Sequence, residues 1–229
     1  LGTTISPYLF FWQTSQEVEE SILKGQTTLK LRQEAVTDKE IKLMRQDVWS
    51  GMFLSNLVMF FIIAACAATL FSNGITNIPT AADAALALRP IAGEYAYLLF
   101  ALGIIGTGML AIPVLAGSAS YAMSESFGWK VGLYRKLKEA NAFYGIIIIS
   151  TFLGVALNFV GIDPIKALLF SAVVNGLVAP VILILIVLLS SNKKVMGDRV
   201  NHPVATFLGI LIIGLMTLAG VATIASLFL

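Results

Sequence analysis

Five apolar stretches, at about residues 48–71, 96–123, 143–160, 164–189 and 203–229, constrain this chain more than any other feature. Each reaches the roughly 17 to 25 residues that a helix needs to cross a bilayer core. With 58% of residues hydrophobic and 12% charged, the chain lies far outside the range of soluble globular proteins. The expected fold is therefore all-α: an integral, multi-pass membrane protein forming one transmembrane domain over residues 1–229.

A sixth span is expected at the start, as a broken helix over residues 1–20. Pro7 removes a backbone donor and disfavours α geometry at Ser6, so the helix should be interrupted near Thr3 to Ser6. An interruption frees carbonyls, and within a bilayer these are tolerated only where protein buries them or where they line a cavity. Discontinuous helices at mid-membrane are how many secondary transporters build their ion and substrate sites. A Pro-kinked structural helix accounts for the same residues.

The polar stretch 17–47 follows, with residues 21–47 expected as a loop and Thr37-Asp-Lys-Glu40 as a capping box that opens a helix running into the membrane. If this stretch is cytoplasmic, all of the fifteen basic residues except Arg89 and Lys166 fall on that side. Such a bias follows the positive-inside pattern and puts the C-terminus outside. The external loop 72–95, with Pro79, Pro90 and an Ala-rich middle, is expected to carry a short helix along the surface. It reads either as a plug over a vestibule or as a plain connection.

No acidic residue falls inside an expected span; Glu94 and Asp163 sit at boundaries. A bound cation would need its counter-charge from elsewhere, because buried ions must be paired or coordinated. There is likewise no carboxylate or histidine within a span to relay protons. His202 is expected as a solvated loop residue and Cys66 as a packed helix residue. Enzyme signatures such as His-Glu-x-x-His, Gly-x-Ser-x-Gly or a phosphate-binding Gly loop are missing, so no enzyme is expected. Topology explains the basic loops, so no nucleic-acid partner is expected either. The chain opens on Leu1, already inside a helix, as a piece of a longer protein would.

The order of these features resembles the second half of the Nramp family of divalent metal transporters, from the sixth helix to the eleventh. Gly2-Thr-Thr-Ile-Ser-Pro7-Tyr-Leu-Phe-Phe-Trp-Gln-Thr14 is similar to the family's broken sixth helix, Gly-Ala-Thr-Val-Met-Pro-His-Asn-Leu-Tyr-Leu-His-Ser. The run from Asn158 to Pro180 and Ser191-Asn-Lys-Lys-Val-Met-Gly197 resemble its tenth helix and the loop after it. The resemblance implies a LeuT-type inverted-repeat fold, of which this chain is the second repeat plus one additional helix. The implied partners are membrane lipid, a divalent metal ion and the first five helices of the same protein. A prokaryotic plasma membrane is the expected location, and no cofactor is expected besides the transported ion.

Family members hold metal with an Asp and an Asn from a broken first helix, an Ala carbonyl and a Met sulfur. By position, the resemblance puts the carbonyl on Thr3 and replaces the sulfur with the Ser6 hydroxyl. A thioether favours soft transition metals, whereas hydroxyl and water oxygens suit hard ions that keep part of their hydration shell. The expected cargo is therefore Mg²⁺ or Mn²⁺; alternatively, the Ser6 hydroxyl bonds back to the neighbouring turn. The family's sixth-helix histidines fall on Tyr8 and Gln13, its ninth-helix arginine has no counterpart, and its tenth-helix glutamine falls on Ala172. Ser171 and Asn175 remain as nearby polar groups, with Asn175 facing the pathway or bonding between helices. These departures imply weak proton coupling or none, as in the Nramp-related magnesium transporter branch. The alternatives are a proton-coupled Mn²⁺/Fe²⁺ transporter, an organic-solute carrier of the same fold and a non-transporting membrane protein.

Overall fold

The structure, a computed structural model, describes residues 6–78 and 80–226; Thr3, Pro79 and the last three residues of the fifth stretch lie outside the described residues. Ten α-helices follow one another: α1 (Pro7–Leu23), α2 (Leu29–Ala35), α3 (Asp38–Thr69), α4 (Ala81–Ala85), α5 (Arg89–Ala92), α6 (Ala96–Ser126), α7 (Asn141–Leu157), α8 (Pro164–Ser190), α9 (Lys193–Met196) and α10 (Pro203–Ala225). The fold is all-α, with no strand among the described residues. Four helical stretches, Asp38–Asn73, Gly93–Ser126, Pro164–Ser190 and Pro203–Ala225, are long and apolar enough to cross a membrane.

Their side chains explain the choice of solvent. Phe60, Phe61 and Leu110 are each more than 60% exposed, as are many others along these helices. Apolar surface on that scale is untenable for a monomer in water and natural against lipid. α7 is shorter than the other four, because Gly161 turns the chain at φ +77° three residues before Pro164 begins the next helix.

Helix ends follow local chemistry. The Thr37 hydroxyl accepts from the Glu40 amide at 3.2 Å while the Glu40 carboxylate accepts from the Thr37 amide at 3.0 Å, so the expected capping box opens α3. Where a loop over 21–47 was expected, helix prevails. α1 continues to Leu23, α2 occupies Leu29–Ala35 behind its Thr28 cap, and α3 is already helical ten residues before its apolar run. Good helix formers such as Lys, Glu, Leu, Arg and Gln dominate this stretch and carry the helix through polar sequence. The 72–95 connection is a chain of short turns, α4 and α5 with 3-10 turns at Leu86–Leu88 and Gly93–Tyr95, rather than one surface helix. A second capping box, Thr80 with Asp83, starts it.

The chain divides into two compact units, and the division falls inside α1. One takes in the described parts of Leu1–Phe10 and Lys166–Leu229; the other is Phe11–Ile165. In the first, α8 and α10 lie antiparallel. A Cβ on Gly209 would stand 2.8 Å from Val187 Cγ2, and one on Gly220 would stand 3.3 Å from Leu177 Cδ2. Gly209 and Gly220 thus leave room for side chains of the facing helix. At the polar end of this pair, the Asn201 side chain donates to the Ser190 hydroxyl at 2.8 Å. His202 is exposed and precedes α10, as expected of a loop residue, and it also caps that helix: its Nδ1 accepts from the Val204 amide at 3.3 Å, with Pro203 at the first helical position.

In the second unit, α6 packs on α7 around a core of Tyr121, Ala140 and Phe143, joined by Trp12, Val131, Tyr144 and Ile147. Edge-to-face contacts link the rings, with Trp12 to Tyr121 at 6.1 Å, Tyr121 to Phe143 at 4.8 Å and Phe143 to Tyr144 at 5.4 Å. Gly117 makes room for α1, since a Cβ there would come within 2.4 Å of the Trp12 ring.

Candidate functional site

Ser6 precedes α1 directly and is buried, as is Pro7. Pro7 takes the first helical position, where its missing donor costs nothing, and the Ser6 carbonyl accepts from the Leu9 amide at 3.1 Å. α1 thus starts at Pro7, and of the expected interruption at Thr3 to Ser6 only Ser6 falls among the described residues. Tyr8 is half-buried in the first turn. On α8, Ser171 is exposed and Asn175 half-buried; four residues apart, they share one helix face. Ser6, Tyr8, Ser171 and Asn175 all fall in the first compact unit, whereas Thr3 lies outside the described residues. Gln13 is exposed and donates to Glu17 one turn on, at 3.3 Å, an ordinary pair within a helix. Among the described residues no three His, Cys, Asp or Glu side chains gather to hold a metal ion.

The chain also contains a polar centre that sequence reasoning missed. Glu19, counted above with the cytoplasmic stretch, is buried on α1. Its Oε1 accepts from the Tyr121 hydroxyl and from the Leu133 amide at 2.8 Å, and its Oε2 accepts from the Tyr134 amide at 3.3 Å. Gln16 Nε2 donates to the Tyr121 oxygen at 3.3 Å, and Ser15 donates to Glu125 at 3.4 Å. Stripping the carboxylate from this centre would leave the Tyr121 hydroxyl without its acceptor and the Tyr134 amide unpaired, at about 1–3 kcal/mol each, and the Leu133 amide with only the Tyr121 oxygen at 3.4 Å.

Backbone shape serves the same centre. Gly132 has φ +126°, which L side chains rarely adopt, and a Cβ there would stand 2.4 Å from the Tyr134 ring and 3.1 Å from Glu19 Oε1. Arg135 Nε donates to the Val131 carbonyl at 3.0 Å and its guanidinium lies over the Tyr134 ring. The Tyr144 hydroxyl closes the turn from below, donating to the Arg135 carbonyl at 2.8 Å. A sequence signal did exist: Trp12, Ser15, Gln16 and Glu19 recur at helical spacing, so one face of α1 continues past the onset of charge.

A family model described as natural resistance-associated macrophage protein-like, Nramp, matches residues 1–226. The chain is 24% identical over 210 residues to a protein of Deinococcus radiodurans named divalent metal cation transporter MntH, covering 91% of this chain and 44% of that relative. Proteins of the same name from Chromohalobacter salexigens and Aeromonas hydrophila are 23% and 25% identical, covering 100% and 94% of this chain and 49% and 48% of the relatives. The chain therefore spans about half the length of the curated relatives it matches.

Proposed function

The chain belongs to the Nramp family, and from that premise we propose that it works in carrying divalent metal cations across a membrane by alternating access. The observation that carries this reading is a family match running along nearly the whole chain, with relatives named as divalent metal cation transporters. Four helices suited to a bilayer support it, and with the shorter apolar α7 as a fifth crossing the stretch 17–47 lies on the cytoplasmic side of a prokaryotic plasma membrane and the C-terminus outside.

The cargo is Mg²⁺ or Mn²⁺, met by the Thr3 carbonyl and the Ser6 hydroxyl, with Tyr8, Ser171 and Asn175 along the pathway. A helix start favours anions, because its free amides carry the positive end of the macrodipole. A cation beside Ser6 must therefore be held by oxygen atoms and by carboxylate charge brought to the site, and the length the relatives have beyond this chain is where we assign the acidic ligand. Hydroxyl and retained water suit a hard ion, and no thioether stands at position 6 to select a softer one. With Tyr8 and Gln13 where the family has histidines, uptake is weakly coupled to protons or uncoupled.

The test is Ser6→Met in the full-length protein, reconstituted in liposomes. Mn²⁺ or Cd²⁺ uptake should rise about tenfold relative to Mg²⁺, because a thioether adds a soft donor and displaces first-shell water. Unchanged preference removes Ser6 from the site. A pH dye in the same liposomes should report no acidification in proportion to metal entry. A helix start also suits a carboxylate; competition of metal uptake by amino acids would favour an organic-solute carrier instead.

A further inference from the structure

The Glu19 centre is not used by the proposed site, yet both oxygens of its buried carboxylate are partnered. Its three donors come from α6 and from the turn between α6 and α7, more than 100 residues away in sequence. The carboxylate acts only as an acceptor, and none of these three donors is a cation: Arg135, next in sequence to the donor Tyr134, is engaged with the Val131 carbonyl and the Tyr134 ring. Two flanking contacts, Ser15 to Glu125 and Gln16 to Tyr121, tie the same face of α1 to the same face of α6. Hydrogen bonds directed from three sides fix an orientation in a way that apolar packing does not, which is the best-attested use of buried polar groups.

We propose that Glu19 is a positioning residue: its carboxylate fastens α1, from Phe11 onward, to α6 and to the 131–135 turn, so that this part of α1 moves with α6 and α7 as one body. The clamp itself does not depend on the proposed function, whereas its consequence for transport does. Ser6 directly precedes α1, and Glu19 follows it by thirteen residues in the chain. Displacement of a liganding group by an ångström is enough to slow a geometry-dependent step by orders of magnitude.

The experiment uses the full-length protein in a cysteine-free background, Cys66 included. In Glu19→Ala, hydrogen exchange of the Tyr134 amide should quicken about tenfold or more, since its acceptor is gone, and that of the Leu133 amide less, since the Tyr121 oxygen at 3.4 Å remains. The maximal rate of Mg²⁺ uptake should fall about tenfold with little change in half-saturating concentration, because the ligands remain. Ser15→Cys with Glu125→Cys, bridged by a short bifunctional thiol reagent, should restore that rate in the Glu19→Ala protein and leave the Glu19 protein at full speed. If Glu19→Ala does not fold, Glu19→Gln, which keeps one acceptor oxygen, carries the same comparison with smaller losses.

Unchanged exchange would overturn the clamp. A bridge that fails to restore uptake would show that the carboxylate does something besides positioning, and a bridge that slows the Glu19 protein would show that α1 must slide on α6. Either result overturns the proposal. Wild-type protein that moves no metal, with the exchange result intact, would instead sink the transport reading and leave the clamp standing.

Discussion

The two compact units are held together by opposite means. Between α8 and α10 the contact is made by what is missing: glycines at 209 and 220 bring Val187 and Leu177 against the opposite backbone. Around α6 and α7 the contact is made by what is present, a ring cluster and a buried carboxylate with named donors. Dispersion between smooth helices is non-directional and tolerates small shifts. Hydrogen bonds at fixed angles do not. The α6–α7 unit is therefore built to keep one arrangement, and the α8–α10 pair to keep one distance.

The largest test of this contrast is Phe143→Ala. Phe143 is fully buried between Tyr121 and Tyr144, and its removal should cost about 3–5 kcal/mol in a denaturant titration of the full-length protein in detergent. A loss below about 1 kcal/mol would mean that the ring cluster is not a packed core. The same methyl group added in each unit gives a finer comparison. Gly132→Ala forces a side chain into φ +126° and into the Tyr134 ring, and should cost about 2–4 kcal/mol. Gly209→Ala meets only the end of the Val187 side chain, which can turn away, so about 1 kcal/mol is expected. If the two substitutions cost the same, the distinction between a fixed unit and a compliant pair fails.

The smallest effect should have the opposite sign. Ser124 Oγ is buried on α6 with no hydrogen-bond partner among the described residues, one turn beyond Ser120, whose hydroxyl donates to the Phe143 carbonyl. Ser124→Ala removes an unsatisfied hydroxyl and should be neutral or stabilising by up to about 1 kcal/mol. Destabilisation of that size would reveal a water or partner bound there.

Much of the fold was legible because length and hydropathy alone demand it. A run such as 203–226 has no soluble alternative, and the Thr37 to Glu40 box is a local signature read directly from four residues. The helix through 21–47 was not legible, because charged residues mark a change of solvent without marking a change of backbone. His202 is exposed and outside the helix, as expected, but its cap was not legible for a related reason: it depends on the residues after it adopting helix, not on its own polarity. Of the candidate site, Ser6 before Pro7 could be read from proline chemistry. The Glu19 centre could not be found as a centre, since its partners Tyr121, Leu133 and Tyr134 are joined to it only by the tertiary fold.

The Glu19 centre also sets how freely this protein can drift over generations. Two of the three donors are main-chain amides, and every residue except proline supplies one. The side chains at 133 and 134 are thus under little obligation to the clamp, and Leu133 is exposed. Position 121 must offer a hydroxyl at the end of a ring, position 19 a carboxylate, and position 132 no side chain at all. The constraint that preserves this arrangement in descent is therefore concentrated on three scattered letters and one forbidden residue type, a pattern too sparse to register as a motif.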